Sequence, residues 1–227
     1  MRTKTLLLSA ALTAAGVCSS LAQVYSVNAV GYVNLTVNPG LSMIANPLSA
    51  TDNTLGGVLT TATGTPFGTQ IYMFDGTKFV SALYDDVDGW VTGANPAANL
   101  PLAPGAGIFI RNNGTTAFTN TFVGEVMQGS LSTPLPAGLS IVSSKVPQAG
   151  KISTDLFFPK IDGTQVYIYN GTAYDGFLFD VDTWVKSGVA NEPNIAIAQS
   201  FWVRNNGPAT TWDRVFSVNP KNQKYEP

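Results

Sequence analysis

Two short acidic runs hold the residues whose types and spacing come nearest to chemistry: Asp85, Asp86 and Asp88, and again Asp180 and Asp182. Carboxylates two apart on a loop point the same way. Asp86, Asp88, Asp180 and Asp182 are therefore candidate ligands for Ca²⁺, an ion that takes roughly six to eight oxygens. Neither run has the glycine and distant glutamate of an EF-hand loop, and the alternative is a solvated turn that also neutralises an arginine. The same acids can be weighed as a glycosidase pair, since that chemistry needs only two carboxylates at a suitable separation. The motif is duplicated on a small scaffold, however, and Glu occurs only at 125, 192 and 226, so a hydrolase is the weaker expectation. There is no His. That removes Ser-His-Asp and Cys-His nucleophiles and the usual zinc sites. The expectation is a protein that is not an enzyme and needs no cofactor beyond this candidate Ca²⁺.

Aromatic faces are the next candidates, because sugar-binding modules present Trp and Tyr to pyranose rings. Tyr84, Trp90, Tyr174 and Trp184 are the candidate ligand-binding residues. Trp90 answers Trp184, Phe109 answers Trp202, and Phe118 answers Trp212, so each Trp has a large apolar counterpart. Exchanging Trp for Phe keeps a core packed but spoils a sugar platform, which favours burial. Arg111 and Arg204, each followed by two Asn, also recur, as do Gln70 and Gln165. They form either a polar patch on one edge or, the favoured reading, an Arg paired with each acidic turn beside Asn in left-handed turn geometry.

These pairings expose the organisation that must position them. Gly40-Leu-Ser-Met-Ile is answered by Gly138-Leu-Ser-Ile-Val, and Gly68-Thr-Gln-Ile-Tyr-Met-Phe-Asp-Gly-Thr by Gly163-Thr-Gln-Val-Tyr-Ile-Tyr-Asn-Gly-Thr. Gly107-Ile-Phe-Ile-Arg-Asn-Asn-Gly is answered by Ser200-Phe-Trp-Val-Arg-Asn-Asn-Gly. The period is about 95 residues, domain-sized rather than solenoid-sized. The runs Gln70 to Phe74 and Gln165 to Tyr169 are β-branched and aromatic. Asp75-Gly76 and Asn170-Gly171 predict two-residue type I′ hairpins, with return strands Thr77 to Tyr84 and Thr172 to Phe179. Asn112 to Gly114 and Asn205 to Gly207 predict a second hairpin in each copy. Short helices are expected over Asn53 to Thr61 and Lys151 to Phe158, with Asp52 and Ser153 as caps.

The fold class that follows is all-β: two tandem homologous antiparallel β-sandwich or barrel-like domains after a signal peptide. The divisions are 1–22 signal peptide, 23–31 N-terminal extension strand, 32–128 first domain, 129–220 second domain and 221–227 tail. No flexible linker separates the copies, so a close pair is expected. Val24-Tyr-Ser-Val-Asn28 resembles Val215-Phe-Ser-Val-Asn219, as if the chain opened with the closing strand of an absent domain. Such a strand folds back on its own domain or is donated to a neighbour. Val24, Tyr25, Val27 and Val30 are the candidate assembly residues.

Arg2 and Lys4, the apolar stretch Leu6 to Val17 and the small Ala22 read as a secretory signal, whose removal takes away Cys18, the only cysteine. Val17 before Cys18 speaks against a lipoprotein signal. Export to the periplasm, outer surface or medium is expected. Of 227 residues 11% are charged, with 14 acidic against 12 basic, a balance that argues against nucleic acid as a partner. After the leader no apolar run is long enough for a membrane helix. An outer-membrane barrel is disfavoured by short strands broken by Gly and Pro.

The opening Ala22-Gln-Val-Tyr-Ser-Val-Asn-Ala-Val-Gly-Tyr-Val, followed by Gly40-Leu-Ser-Met-Ile-Ala-Asn-Pro-Leu48, resembles a family of exported hypothetical proteins associated with Verrucomicrobia. The second copy departs from it with Ser144-Lys-Val146 in place of Asn-Pro-Leu. The resemblance implies export and β-structure, and it carries no activity or site residues. The leading expectation is an exported, non-enzymatic structural or interaction protein of the cell surface or periplasm, self-assembling by strand addition or contacting other surface proteins. A tandem carbohydrate-binding module with a glycan partner is second, and a glycoside hydrolase third.

Overall fold

The structure, a computed structural model, describes residues 29–219. The signal peptide over 1–22, Val24, Tyr25 and Val27 of the N-terminal strand, and the tail 221–227 lie outside the described residues. The first half runs β1 (Val30–Val37), β2 (Gly40–Ile44), a one-turn helix α1 (Leu55–Val58), β3 (Gln70–Phe74), β4 (Phe79–Asp85), β5 (Gly89–Thr92), β6 (Asn95–Pro96), β7 (Ile108–Asn112) and β8 (Phe118–Glu125). The second runs β9 (Gly129–Leu135), β10 (Gly138–Ser143), β11 (Gly150–Lys151), β12 (Gln165–Tyr169), β13 (Tyr174–Asp180), β14 (Thr183–Lys186), β15 (Val189–Ala190), β16 (Asn194–Ile195), β17 (Ser200–Asn205) and β18 (Thr210–Phe216). The class is all-β in two similar halves.

Topology repeats with the sequence. One six-stranded antiparallel sheet has the order β2-β7-β3-β4-β5-β6, the other β10-β17-β12-β13-β14-β15. A two-stranded ribbon, β1-β8 or β9-β18, completes each half. The register repeats too: Leu41, Arg111, Gln70, Leu83 and Val91 stand in one row across the first sheet, and Leu139, Arg204, Gln165, Leu178 and Val185 across the second. Period-two alternation decides what each strand buries. Ile108 and Ile110 of β7, Ile71 of β3, and Val37 and Phe122 of the ribbon share one core, so the ribbon packs over the inner face of its sheet. Val166, Phe201, Val203, Leu135 and Trp212 do the same in the second half.

Several local expectations are corrected. Val30 and Gly31, placed in an extension strand, begin β1, with Val30 opposite Glu125 of β8 in the same half. Val33, Leu35 and Val37 then face inward, which fixes the register. The first hairpins form without type I′ geometry. Asp75 and Asn170 have negative φ, Gly76 and Gly171 both have φ of 100°, and the tip is clamped by side-chain oxygen. Asp75 Oδ1 accepts from the N–H groups of Thr77 and Lys78, and Asn170 Oδ1 from those of Thr172 and Ala173. The Asn-Asn-Gly segments are not hairpins, because β7 and β8, like β17 and β18, belong to different sheets. Of the two predicted helices, the first shrinks to α1 and a 3-10 turn at Thr61–Thr63. Lys151 to Phe158 forms turns, because Lys151 is held in β11 opposite Asn194 and Ile152 N–H is taken by Pro193 O. Ser153 does not cap: its hydroxyl accepts from the Trp184 indole instead.

Candidate interaction surfaces

The acidic runs form turns that satisfy themselves. Asp85 Oδ1 accepts from the N–H groups of Val87 at 2.9 Å and Asp88 at 3.1 Å, and these bonds hold its carboxyl below the usual carboxylate range. In the second half the turn is one residue shorter, Val181 adopts φ of 55°, and its N–H is taken by Asp162 at 2.8 Å. Asp86, Asp88, Asp180 and Asp182 are exposed. Among the described residues no group of three or more acidic, Cys or His side chains is placed to hold a metal ion. The Ca²⁺ expectation therefore gains no assembled site: two carboxylates on an open turn leave most of that ion's coordination to water.

Of the four aromatic candidates, three are interior. Trp90 is 1% exposed and donates its indole N–H to Leu59 O at 2.7 Å. Trp184 is 2% exposed and donates to Ser153 Oγ at 2.9 Å. Tyr84 stacks on Trp90, with ring centroids 5.0 Å apart, and its hydroxyl accepts from Thr61 N–H. A buried indole with its N–H satisfied serves packing, and no sugar ring reaches it. Tyr174 is exposed, beside Tyr169 at the hairpin tip.

The predicted Arg–Asp pairing does not form. Among the described residues the ion pair present is Lys186–Asp175, at 2.6 Å, while Arg111 and Arg204 are exposed. Strand order explains this: β3 stands between β7 and β4, and β12 between β17 and β13, so each Arg lies beside Gln70 or Gln165 instead. The adjacent Asn residues act through their side chains, not through left-handed backbone. Asn112 Nδ2 donates to Val37 O and Thr116 O, and Asn205 Nδ2 to Leu135 O and Pro208 O. Each buried amide thus bolts a six-stranded sheet to its ribbon where the chain crosses between them. Asn113 and Asn206 donate to Gly68 O and Gly163 O and so tie each crossover to the loop before β3 or β12.

The outer faces of the two large sheets meet. Met43, Phe109 and Ile141 are buried together, packed by Tyr72, Phe74, Tyr169 and Trp202. Several contacts have a mate obtained by exchanging the halves. Ala45 N–H donates to Ala198 O at 2.8 Å, and Ser143 N–H to Gly105 O at 3.0 Å. Ile44 bridges Gln199, and Val142 bridges Ala106. Phe109 meets Tyr169 edge-on at 6.1 Å, and Trp202 meets Phe74 edge-on at 5.0 Å. The same patch used on both sides is the signature of a twofold dimer interface. Here it lies within one chain. Gly107 sits at its centre, where a Cβ would run into Ser200 and Ile141. The sequence signal was present: Phe109, Trp202, Phe74 and Tyr169 alternate with core residues and so occupy the face opposite the core.

Among the described residues a further apolar surface lies open. On the outer face of the β1-β8 ribbon Tyr32 is 74% exposed and stands opposite Val123, with Val30 two residues along the same face. On β9-β18 the position matching Tyr32 is Ser130. Among the described residues no helix is long and apolar enough to cross a membrane. No protein family, curated protein or solved structure matches the chain.

Proposed function

We propose that this is an exported, non-enzymatic structural or interaction protein of the cell surface or periplasm, which acts by contact and assembles with itself or with other surface proteins. The observation that carries this reading is the open ribbon face of the first half, where Val30, Tyr32 and Val123 stand side by side in water. Clustered exposed apolar side chains on a sheet are a common mark of an association surface. The leader-like sequence over 1–22 supports export, and the family resemblance of the opening points the same way. A tandem carbohydrate-binding module has less support, because Tyr174 alone of the four aromatic candidates is open to a ligand.

Sedimentation velocity over a wide concentration range, with negative-stain microscopy, tests the proposal. The mature protein is expected to self-associate, and Tyr32→Asp to stay monomeric with unchanged circular dichroism. A mature protein that stays monomeric at the highest concentration and retains no surface protein would overturn the reading.

A further inference from the structure

Arg214, in the middle of β18, is 8% exposed, and the guanidinium is buried without a carboxylate. Its Nη2 donates to Gln148 Oε1 at 2.7 Å, while Nε and Nη1 have no hydrogen-bond partner. Among the described residues no acidic group lies within ion-pairing range of it. Two rings flank the charge, Phe216 at 5.2 Å and Phe157 at 5.6 Å. Burial pushes its pKa down, though an arginine stays charged at neutral pH.

The fold does not ask for this charge. Leu131 stands opposite Arg214 as Val33 stands opposite Phe122 in the first half, and Phe122 is 1% exposed in an apolar core. An apolar residue at a buried charged position is commonly neutral or better for stability. Cation–π contacts offset only part of the desolvation cost and leave the two N–H directions unsatisfied. Phe157, which covers the guanidinium, is itself 53% exposed and held at φ of 60°, a conformation that strains a bulky L-residue. Backbone strain of this kind lowers the cost of moving the residue.

We propose that Arg214 is the base of a carboxylate-binding site, which opens when the Phe157 turn swings aside and which supplies the acceptor that Nε and Nη1 lack. A carboxylate matches a guanidinium in charge and planarity, and the two rings hold water away from the pair. Gln148 is positioned for the same task, since its Nε2 is held near Asp155 O at 3.4 Å while its oxygen orients Arg214. The site is independent of the ribbon surface of the first half.

Thermal melts in sodium acetate against sodium chloride, at equal ionic strength and neutral pH, test this. Acetate is expected to raise Tm by about 3 °C over chloride near saturation. Arg214→Met should melt no lower than the parent in chloride and lose the acetate response. Phe157→Gly, which removes the cover and suits the φ, should respond at lower acetate concentration. The proposal is overturned if neither the parent nor Phe157→Gly distinguishes acetate from chloride. It is equally overturned if Arg214→Met responds as the parent does.

Discussion

Asn120 of β8 and Trp212 of β18 occupy the same place in the two halves, opposite Leu35 and Thr133 respectively, and both are buried. Asn120 gathers a polar network: its Oδ1 accepts from the hydroxyls of Thr63 and Thr65, each at 2.8 Å, and its Nδ2 donates to Val58 O. Trp212 donates to Leu156 O and packs on Phe158 and Phe201. The first core is otherwise mostly aliphatic around Trp90, Tyr84 and Phe122, whereas the second is filled with Phe158, Phe177, Phe179, Trp184 and Phe201. Against this divergence inside, the sheet order, the Asn bolts and the surface between the halves have stayed alike. Cores tolerate wholesale repacking if volume and pattern are kept. A self-complementary surface has less room, because a change on one side must suit the other.

The comparison is sharpened most by truncating the unlike pair. Trp212→Ala should cost about 3–5 kcal/mol in urea denaturation, through the transfer and cavity terms of a lost indole. Asn120→Ala should cost about 1–3 kcal/mol, since it leaves two threonine hydroxyls and a carbonyl short of a partner. Equal costs would mean that the two positions are not doing different work. The like pair should behave alike: Asn112→Ala and Asn205→Ala are each expected to lose about 1–3 kcal/mol. A difference larger than about 1 kcal/mol between them, beyond the usual context scatter, would break the equivalence of the bolts.

The smallest effect separates two hairpins of the same shape. The N–H of Lys78, the Thr77 hydroxyl and N–H, and the Lys78 charge lower the Asp75 carboxyl from 3.8 to about 2. A depressed folded value means the clamp's contribution is complete above 3.8 and is lost as pH falls through about 2. Asn170 makes the same bonds without a proton to gain. Amide resonances of Thr77 and Lys78 should therefore move over that window while those of Thr172 and Ala173 stay still. Parallel movement of both pairs would assign the change to global unfolding.

Much of the architecture was readable from the chain. The duplicated Gly-Thr-Gln runs located β3 and β12, and the large apolar counterpart of every Trp in the other copy pointed to the burial seen at Trp90 and Trp184. What failed depended on partners far along the chain. Lys151 and Ile152 are drawn into pairing with Asn194 and Pro193, about 40 residues away, so no local helix rule could foresee the loss of that helix. Charge alone assigns Arg111 to the acidic turn, whereas strand order puts β3 in between. Sequence matching sets Trp212 against Phe118, but the crossover after Asn205 is shorter than that after Asn112, and Trp212 takes the place that Asn120 has in the first half. Arg214 carried no motif at all. Its oddity emerges only when its register mate proves to be Phe122.

Gly107 and Ser200 are mates under the exchange of halves, and they face one another. In an assembly of two separate identical subunits, whatever residue approached the axis would have to tolerate its own image. Fusion into a single polypeptide lifts that restriction: one side recedes to a bare hydrogen so that the other can project a hydroxymethyl, here directed at the Ile108 carbonyl. Covalent linkage therefore does more than fix stoichiometry. It lets evolution tune the axis asymmetrically.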